Sequence, residues 1–225
     1  MHSYPSAATS VLIARAEVIG KSLTRRGWTS SVEPRTKHPG AHRATVWVPD
    51  AAPGVSLLIL TIGGRQGQLA ELLGPATSAT RTDAGGRSRS GRRPSWRLTA
   101  YDAPAPALIA AALSAADEPP DAQSLEAAGW KVVRHQADDR RRPALPEFIR
   151  PDDAVSAAFR APTFTPPCER CSHCGEVGDM GGWLITGPGF SADATAHTPG
   201  SVVTAFALAL PGDGTPSGHP KKATS

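Results

Sequence analysis

Aromatic side chains make up only 5% of this 225-residue chain, so a core has to be assembled mainly from Ala, Val, Leu and Ile. Enough apolar material exists for that, because 40% of the residues are hydrophobic, and the length accommodates one large domain or two small ones. Long hydrophobic runs are missing. The longest, Val55 to Ile62, falls far short of the roughly 20 residues a membrane helix requires. Met1 to Ser10 lacks a basic start, and Arg15 and Glu17 interrupt the apolar stretch that follows, so no export signal is recognisable. A cytoplasmic protein without a membrane partner is the expectation.

Catalytic signatures are absent as well. The chain has no Gly-x-Ser-x-Gly elbow, no His-Glu-x-x-His pair and no phosphate loop closing on Gly-Lys-Ser or Gly-Lys-Thr. Gly63-Gly64-Arg65-Gln66-Gly67 follows an apolar run, as a phosphate cradle would, but lacks the remaining glycine and lysine positions and reads as a tight turn. The balance of 24 basic against 20 acidic residues leaves a net charge of +4. Such mild basicity is compatible with nucleic acid without being diagnostic of it.

Cysteine is scarce, yet all three lie within Cys168-Glu169-Arg170-Cys171-Ser172-His173-Cys174. An odd number cannot pair internally, and in a reducing compartment such a cluster reads as metal ligands or free thiols. Cys168-x-x-Cys171 is a knuckle that turns two sulfurs toward one point, and Cys174 supplies a third. His197 is the best distant candidate for a fourth zinc ligand, ahead of His173, which crowds Cys174, and of Asp179. Three states stay open at this level: a zinc site, a reducible thiol cluster without metal, and an iron–sulfur cluster whose expected fourth cysteine is replaced by Gly178. A zinc ion here would be structural, pinning a loop over residues 165–180 that is too poor in apolar side chains to pack alone. Pro167-Cys168-Glu169-Arg170-Cys171 also matches half of a nucleobase-deaminase signature. The other half fails, because His135 is followed by Gln136 and Ala137 and the proton-carrying glutamate is missing.

Periodicity predicts a first helix from Ser6 to Arg26, with Leu12, Ala16, Ile19 and Leu23 on one stripe and Gly27 stopping it ahead of Trp28. Strands follow over Trp28–Glu33, His42–Val48 and Val55–Ile62. Gly129-Trp130 repeats the Gly27-Trp28 junction between a short helix starting at Asp121 and a strand Lys131–Arg134. Both halves end alike. Ser95–Tyr101 runs into a helix holding Leu108, Ile109 and Leu113, and Phe190–Ala196 into one with Thr198 as N-cap, Pro199 first, and Val203, Phe206 and Leu210 on one face. The fold class is therefore α+β, in two related small units, residues 1–117 and 118–210, each a helix, an antiparallel sheet and a closing helix, with a disordered tail over 211–225. Pro151 to Phe159 reads as a short helix. The stretch 75–94, rich in Gly, Ser, Thr and Arg, reads as a flexible loop. Trp28, Trp130 and Trp183 are expected as the large packing residues of an aromatic-poor core, and Trp96, beside the arginine run, as a core or edge residue with stacking on a base as the alternative.

Trp183, the alternating stretch Phe190 to Ala196, and Thr198-Pro199-Gly200-Ser201-Val202-Val203-Thr204-Ala205-Phe206-Ala207-Leu208 carry a resemblance. They look like the end of an uncharacterised repeat domain of streptomycetes and their relatives, named for a Ser-Pro-Asp-Tyr motif and often present in two copies. Trp96 to Leu113 resembles it more weakly, and the Ser-Pro-Asp-Tyr sequence itself does not occur here. The resemblance implies a small actinobacterial α/β unit of the kind found near mobile elements and regulatory loci, and implies no activity or catalytic residue.

Three functions fit these residues. The first is a non-enzymatic accessory or regulatory protein that recognises a protein partner through its sheets or loops. The second is nucleic-acid association through Arg87, Arg89, Arg92 and Arg93, which stand nearly free of acids and can neutralise phosphates without fixed geometry. The third is a metal-dependent enzyme, which would need an acidic residue at the metal's open position.

Overall fold

The computed structural model describes residues 7–34, 41–62, 67–82, 88–117, 124–134, 146–160 and 181–212. In chain order these form α1 (Ala7–Thr24), β1 (Trp28–Val32), β2 (Ala41–Pro49), β3 (Ser56–Ile62), β4 (Gly67–Leu73), β5 (Ala76–Thr82), β6 (Ser88–Pro94), β7 (Arg97–Tyr101), α2 (Ala105–Asp117), β8 (Lys131–Arg134), β9 (Pro146–Ile149), β10 (Ser156–Arg160), β11 (Gly182–Gly187), β12 (Phe190–Thr195) and α3 (Gly200–Leu208). The class is α+β. Ten strands join in one antiparallel sheet of order β1-β2-β3-β4-β7-β12-β11-β10-β9-β8, and β5 and β6 pair separately. On both sides of the β7–β12 seam the chain runs from the sheet's edge toward its centre.

Register explains how so few aromatics suffice. One row across the sheet reads Ile59, Ala70, Ala100, Ala192, Ile185, Ala157, and its central alanines let α2 and α3 come close. Ala107, Ala111 and Ala112 of α2 and Val202, Val203, Phe206 and Ala207 of α3 are buried against this face. They form one continuous cluster with Ile19 and Leu23 of α1 and with Leu57, Leu72 and Leu98 of the sheet. Trp28, Trp96 and Trp130 are buried in it, while Trp183 is partly buried and meets Phe159 edge-on, ring centroids 5.3 Å apart. The stripe Leu12, Ile19, Leu23 of α1 is buried as its periodicity requires. Gly27 and Gly129 both take positive φ, 76° and 85°, so the two Gly-Trp junctions turn the chain in the same left-handed way.

Four local expectations are corrected. Residues 76–82 and 88–94 of the stretch 75–94 are paired antiparallel strands and not a loose loop, from Ala76↔Pro94 to Thr82↔Ser88. Backbone hydrogen bonding, which needs no apolar side chain, extends the β4–β7 ladder outward. Residues 125–129 form a hydrogen-bonded turn, with Ala128 N–H donating to the Ser124 carbonyl at 3.1 Å, in place of a regular helix, and residues 118–123 lie outside the described part. Thr198 is not the N-cap of α3. Pro199 occupies that position without a side-chain cap, and the Thr198 hydroxyl donates instead to the Arg97 carbonyl at 3.0 Å, tying α3 to β7.

The expected helix over Pro151–Phe159 is replaced by a tight turn and the strand β10. Arg150 holds Asp152 with two contacts of 2.7 Å, the Ala154 N–H donates to the same carboxylate, and Asp153 has φ 56°, which no right-handed helix accommodates. The third guanidinium nitrogen of Arg150, Nη1, donates to the Leu210 and Pro211 carbonyls, so this turn also fastens the end of α3. The hydrogen bond from Arg150 holds the Asp152 carboxyl below its ordinary value of 3.8, with the Ala154 N–H adding to the effect and desolvation opposing it. A depressed folded-state pKa stabilises the fold above the unfolded value and ceases to do so as pH falls through the folded value. Stability should therefore decline on acidification below about pH 4, and Asp152→Asn should flatten that part of the profile, measured by urea unfolding at stepped pH.

Candidate functional site

The β5–β6 hairpin is built on the centre of the sheet. Beyond the last ladder pair, Leu73↔Arg97, Gly74 N–H donates to the Trp96 carbonyl at 3.0 Å and Ser95 N–H to the Pro75 carbonyl at 2.8 Å, and then β5 and β6 continue as a two-stranded ribbon. Trp96 is buried at the ribbon's base, so it is a packing residue and not a stacking platform. Seven residues per strand at about 3.4 Å each give an arm of about 24 Å. Neither strand contains an Asp or Glu, whereas Arg81, Arg89, Arg92 and Arg93 lie on them. Arg81 is the direct register partner of Arg89, Thr77 of Arg93 and Ser78 of Arg92. Arg92 and Arg93 are exposed. Arg87 lies outside the described residues. The hairpin signal was legible in the sequence as Gly85-Gly86 between two Ser/Thr-rich stretches of similar length.

Of the candidate metal ligands only His197 is described, and it lies at the same end of the sheet. Cys168, Cys171 and Cys174 lie outside the described residues, but the segment that carries them leaves the sheet after Arg160 and re-enters at Gly182, and these two residues are register partners. Gly182 also pairs with Thr195, two residues ahead of His197. Gly182 has φ 141°, and a Cβ there would collide with the Ala194 carbonyl, so only glycine brings this return point so close to β12. His197 is exposed in the turn between β12 and α3, where Thr198 N–H donates to the Thr195 carbonyl at 2.9 Å and the two threonine hydroxyls are 3.1 Å apart. Thr195 in turn accepts a hydrogen bond from the Arg97 N–H at 3.1 Å, which joins this corner to the root of the arginine ribbon. A cleft of about 190 Å³ lined by Arg97, Arg160, Asp193 and Thr195 lies there, and Arg97 also approaches Glu71 at 3.8 Å.

The topology thus brings the root of the β5–β6 ribbon, the anchors Arg160 and Gly182 of the cysteine segment, and His197 to one sheet end. Such an end can present positive charge on a paired two-stranded arm beside the anchors of the cysteine segment. Among the described residues no group of His, Cys, Asp and Glu is arranged to hold a metal by itself, so a metal there would need the cysteines. No described helix is long and apolar enough to cross a membrane. Compared with protein-family models, with curated proteins and with solved structures, the chain finds no match.

Proposed function

We propose that this chain is a non-enzymatic binding protein whose partner is nucleic acid, held by the β5–β6 ribbon. The observation that supports this is the pair of arginine-bearing strands, neither containing an Asp or Glu, that extends from the β4–β7 ladder. A major groove about 12 Å wide admits a two-stranded ribbon, and arginine is suited to phosphates and to guanine edges. Zinc held by Cys168, Cys171, Cys174 and His197 would fix the loop 165–180 beside the ribbon's root. The shared sheet end of His197 and the loop's two anchors supports that part. The mirrored strand order supports keeping the two-unit organisation, and with it the resemblance to the Ser-Pro-Asp-Tyr repeat domain, within the same proposal.

Retention on immobilised duplex DNA and RNA across a salt series tests the ribbon, with Arg87, Arg89, Arg92 and Arg93 replaced together by Ala. Metal content of untagged protein tests the zinc site: near-stoichiometric zinc is expected, and none in the Cys168→Ser, Cys171→Ser double variant. A metal-free wild type would leave the thiol cluster as the better account. A protein partner is the second reading, favoured by the sheet face opposite the helices, where Val46, Leu60, Leu69 and Leu73 are only half-buried and Val48 and Tyr101 are exposed. Salt-insensitive behaviour of wild type and variant alike would favour it.

A further inference from the structure

A second feature lies at the β1 edge of the sheet, away from the arginine ribbon. Alternation places Trp28, Ser30 and Val32 on the face that α1 covers, together with Trp47 and Ile59 through the pairs Ser30↔Trp47 and Leu57↔Trp47. Only Trp28 of the three is buried; Ser30 is exposed and Val32 is 66% exposed. The helix therefore leaves a core-type surface uncovered. Between α1 and strands β1–β3 runs a groove of about 460 Å³, within the size range of small-molecule sites. Trp47 and Ile59 line the sheet side, and Ala16 and Gly20 line the helix side. Gly20 has no side chain for a direct reason: a Cβ there would lie 2.6 Å from the Trp47 ring.

Polar lining is asymmetric in charge. Lys21, Arg25 and Arg43 border the groove, with Glu17 as the one acid. None of these three cations has an ion-pair partner among the described residues. An apolar floor and a border on which three cations stand against one acid, Glu17, complement a molecule with an apolar body and an anionic head. We propose that this groove binds a small amphipathic carboxylate, its alkyl or aryl body against Trp47 and Ile59 and its carboxylate toward Lys21 and Arg43. The site is separate from the ribbon and stands whether or not the chain binds nucleic acid.

Calorimetric titration of the full chain with decanoate, and with decyltrimethylammonium as the charge-reversed probe, tests it. Decanoate is expected to saturate a single site and to bind at least about tenfold more tightly than the cation. Ser30→Trp, a substitution at an exposed strand position, is expected to fill the groove and abolish binding while leaving the circular dichroism spectrum unchanged. The pair Lys21→Glu with Arg43→Glu, both exposed, is expected to weaken decanoate about tenfold or more, and it decides the matter should Ser30→Trp fail to fold. Equal affinity for both probes, absence of saturable decanoate binding, or binding indifferent to a folded Ser30→Trp or to the charge reversal would each overturn the proposal.

Discussion

Replacing Arg87, Arg89, Arg92 and Arg93 together by Ala should nearly abolish retention on duplex DNA at physiological salt, and should flatten what salt dependence remains. Each phosphate neutralised by a basic side chain releases counterions and adds about 0.9 to the slope of log affinity against log salt. Four lost contacts would lower that slope by about 3 to 4 and would cost roughly a hundredfold in the salt response between 50 and 200 mM. The fold should be untouched, because Arg92 and Arg93 are exposed and the ladder joining β5 to β6 is made by backbone groups. Single substitutions separate two modes of contact. Loss spread evenly over all sequences marks a phosphate contact, whereas loss confined to particular sequences marks base reading. A variant that binds as the wild type does at every salt concentration would remove the ribbon from the account.

Phe206→Ala is expected to be the most damaging single truncation of the core. Phe206 is fully buried on α3 and is the largest of the completely buried side chains among the described residues. Truncating a buried phenylalanine typically costs about 3 to 5 kcal/mol, against a total stability of roughly 5 to 15 kcal/mol for a domain. The core it belongs to is rich in alanine, with Ala207 on its own helix and Ala107, Ala111 and Ala112 on α2, and alanine has no side-chain length to swing into a cavity. Leu208→Ala, at a position 37% exposed on the same helix, should cost no more than about 1 kcal/mol. Urea midpoints of the two variants check this contrast. Similar midpoints would mean that α3 does not seal the core as its burial indicates.

Short-range patterns were legible where a single physical rule governs them. The α1 stripe, the two Gly-Trp junctions and the burial of Val203 and Phe206 on α3 follow from helical spacing and from glycine's access to positive φ, whereas Leu210, also buried, lies past the end of α3. The strands β1, β2, β3, β8 and β12 follow from β-branched or alternating runs between turn formers. β4 was not anticipated, because Gln68-Leu69-Ala70-Glu71-Leu72-Leu73 is built of good helix formers. Its place between β3 and β7 overrides that propensity by burying Ala70 and Leu72. The turn at Arg150–Asp153 escaped for a related reason. A local carboxylate–guanidinium clamp that also reaches the Leu210 and Pro211 carbonyls is a long-range contact that no window of neighbouring residues contains.

The candidate site divides the same way. Residue type alone marked Cys168, Cys171, Cys174 and His197 as candidate soft ligands and Arg87, Arg89, Arg92 and Arg93 as a candidate phosphate contact, since thiolate, imidazole and guanidinium chemistry is carried in the side chain. Whether Arg89, Arg92 and Arg93 stand on a loose loop or a stiff ribbon depended on pairing with Thr77, Ser78 and Arg81, which only the folded chain brings alongside. The nearness of His197 to the anchors of the cysteine segment, and the uncovered groove under α1, likewise belong to the tertiary structure. Side-chain chemistry is local, whereas strand pairing and helix placement are settled by which distant surfaces bury one another.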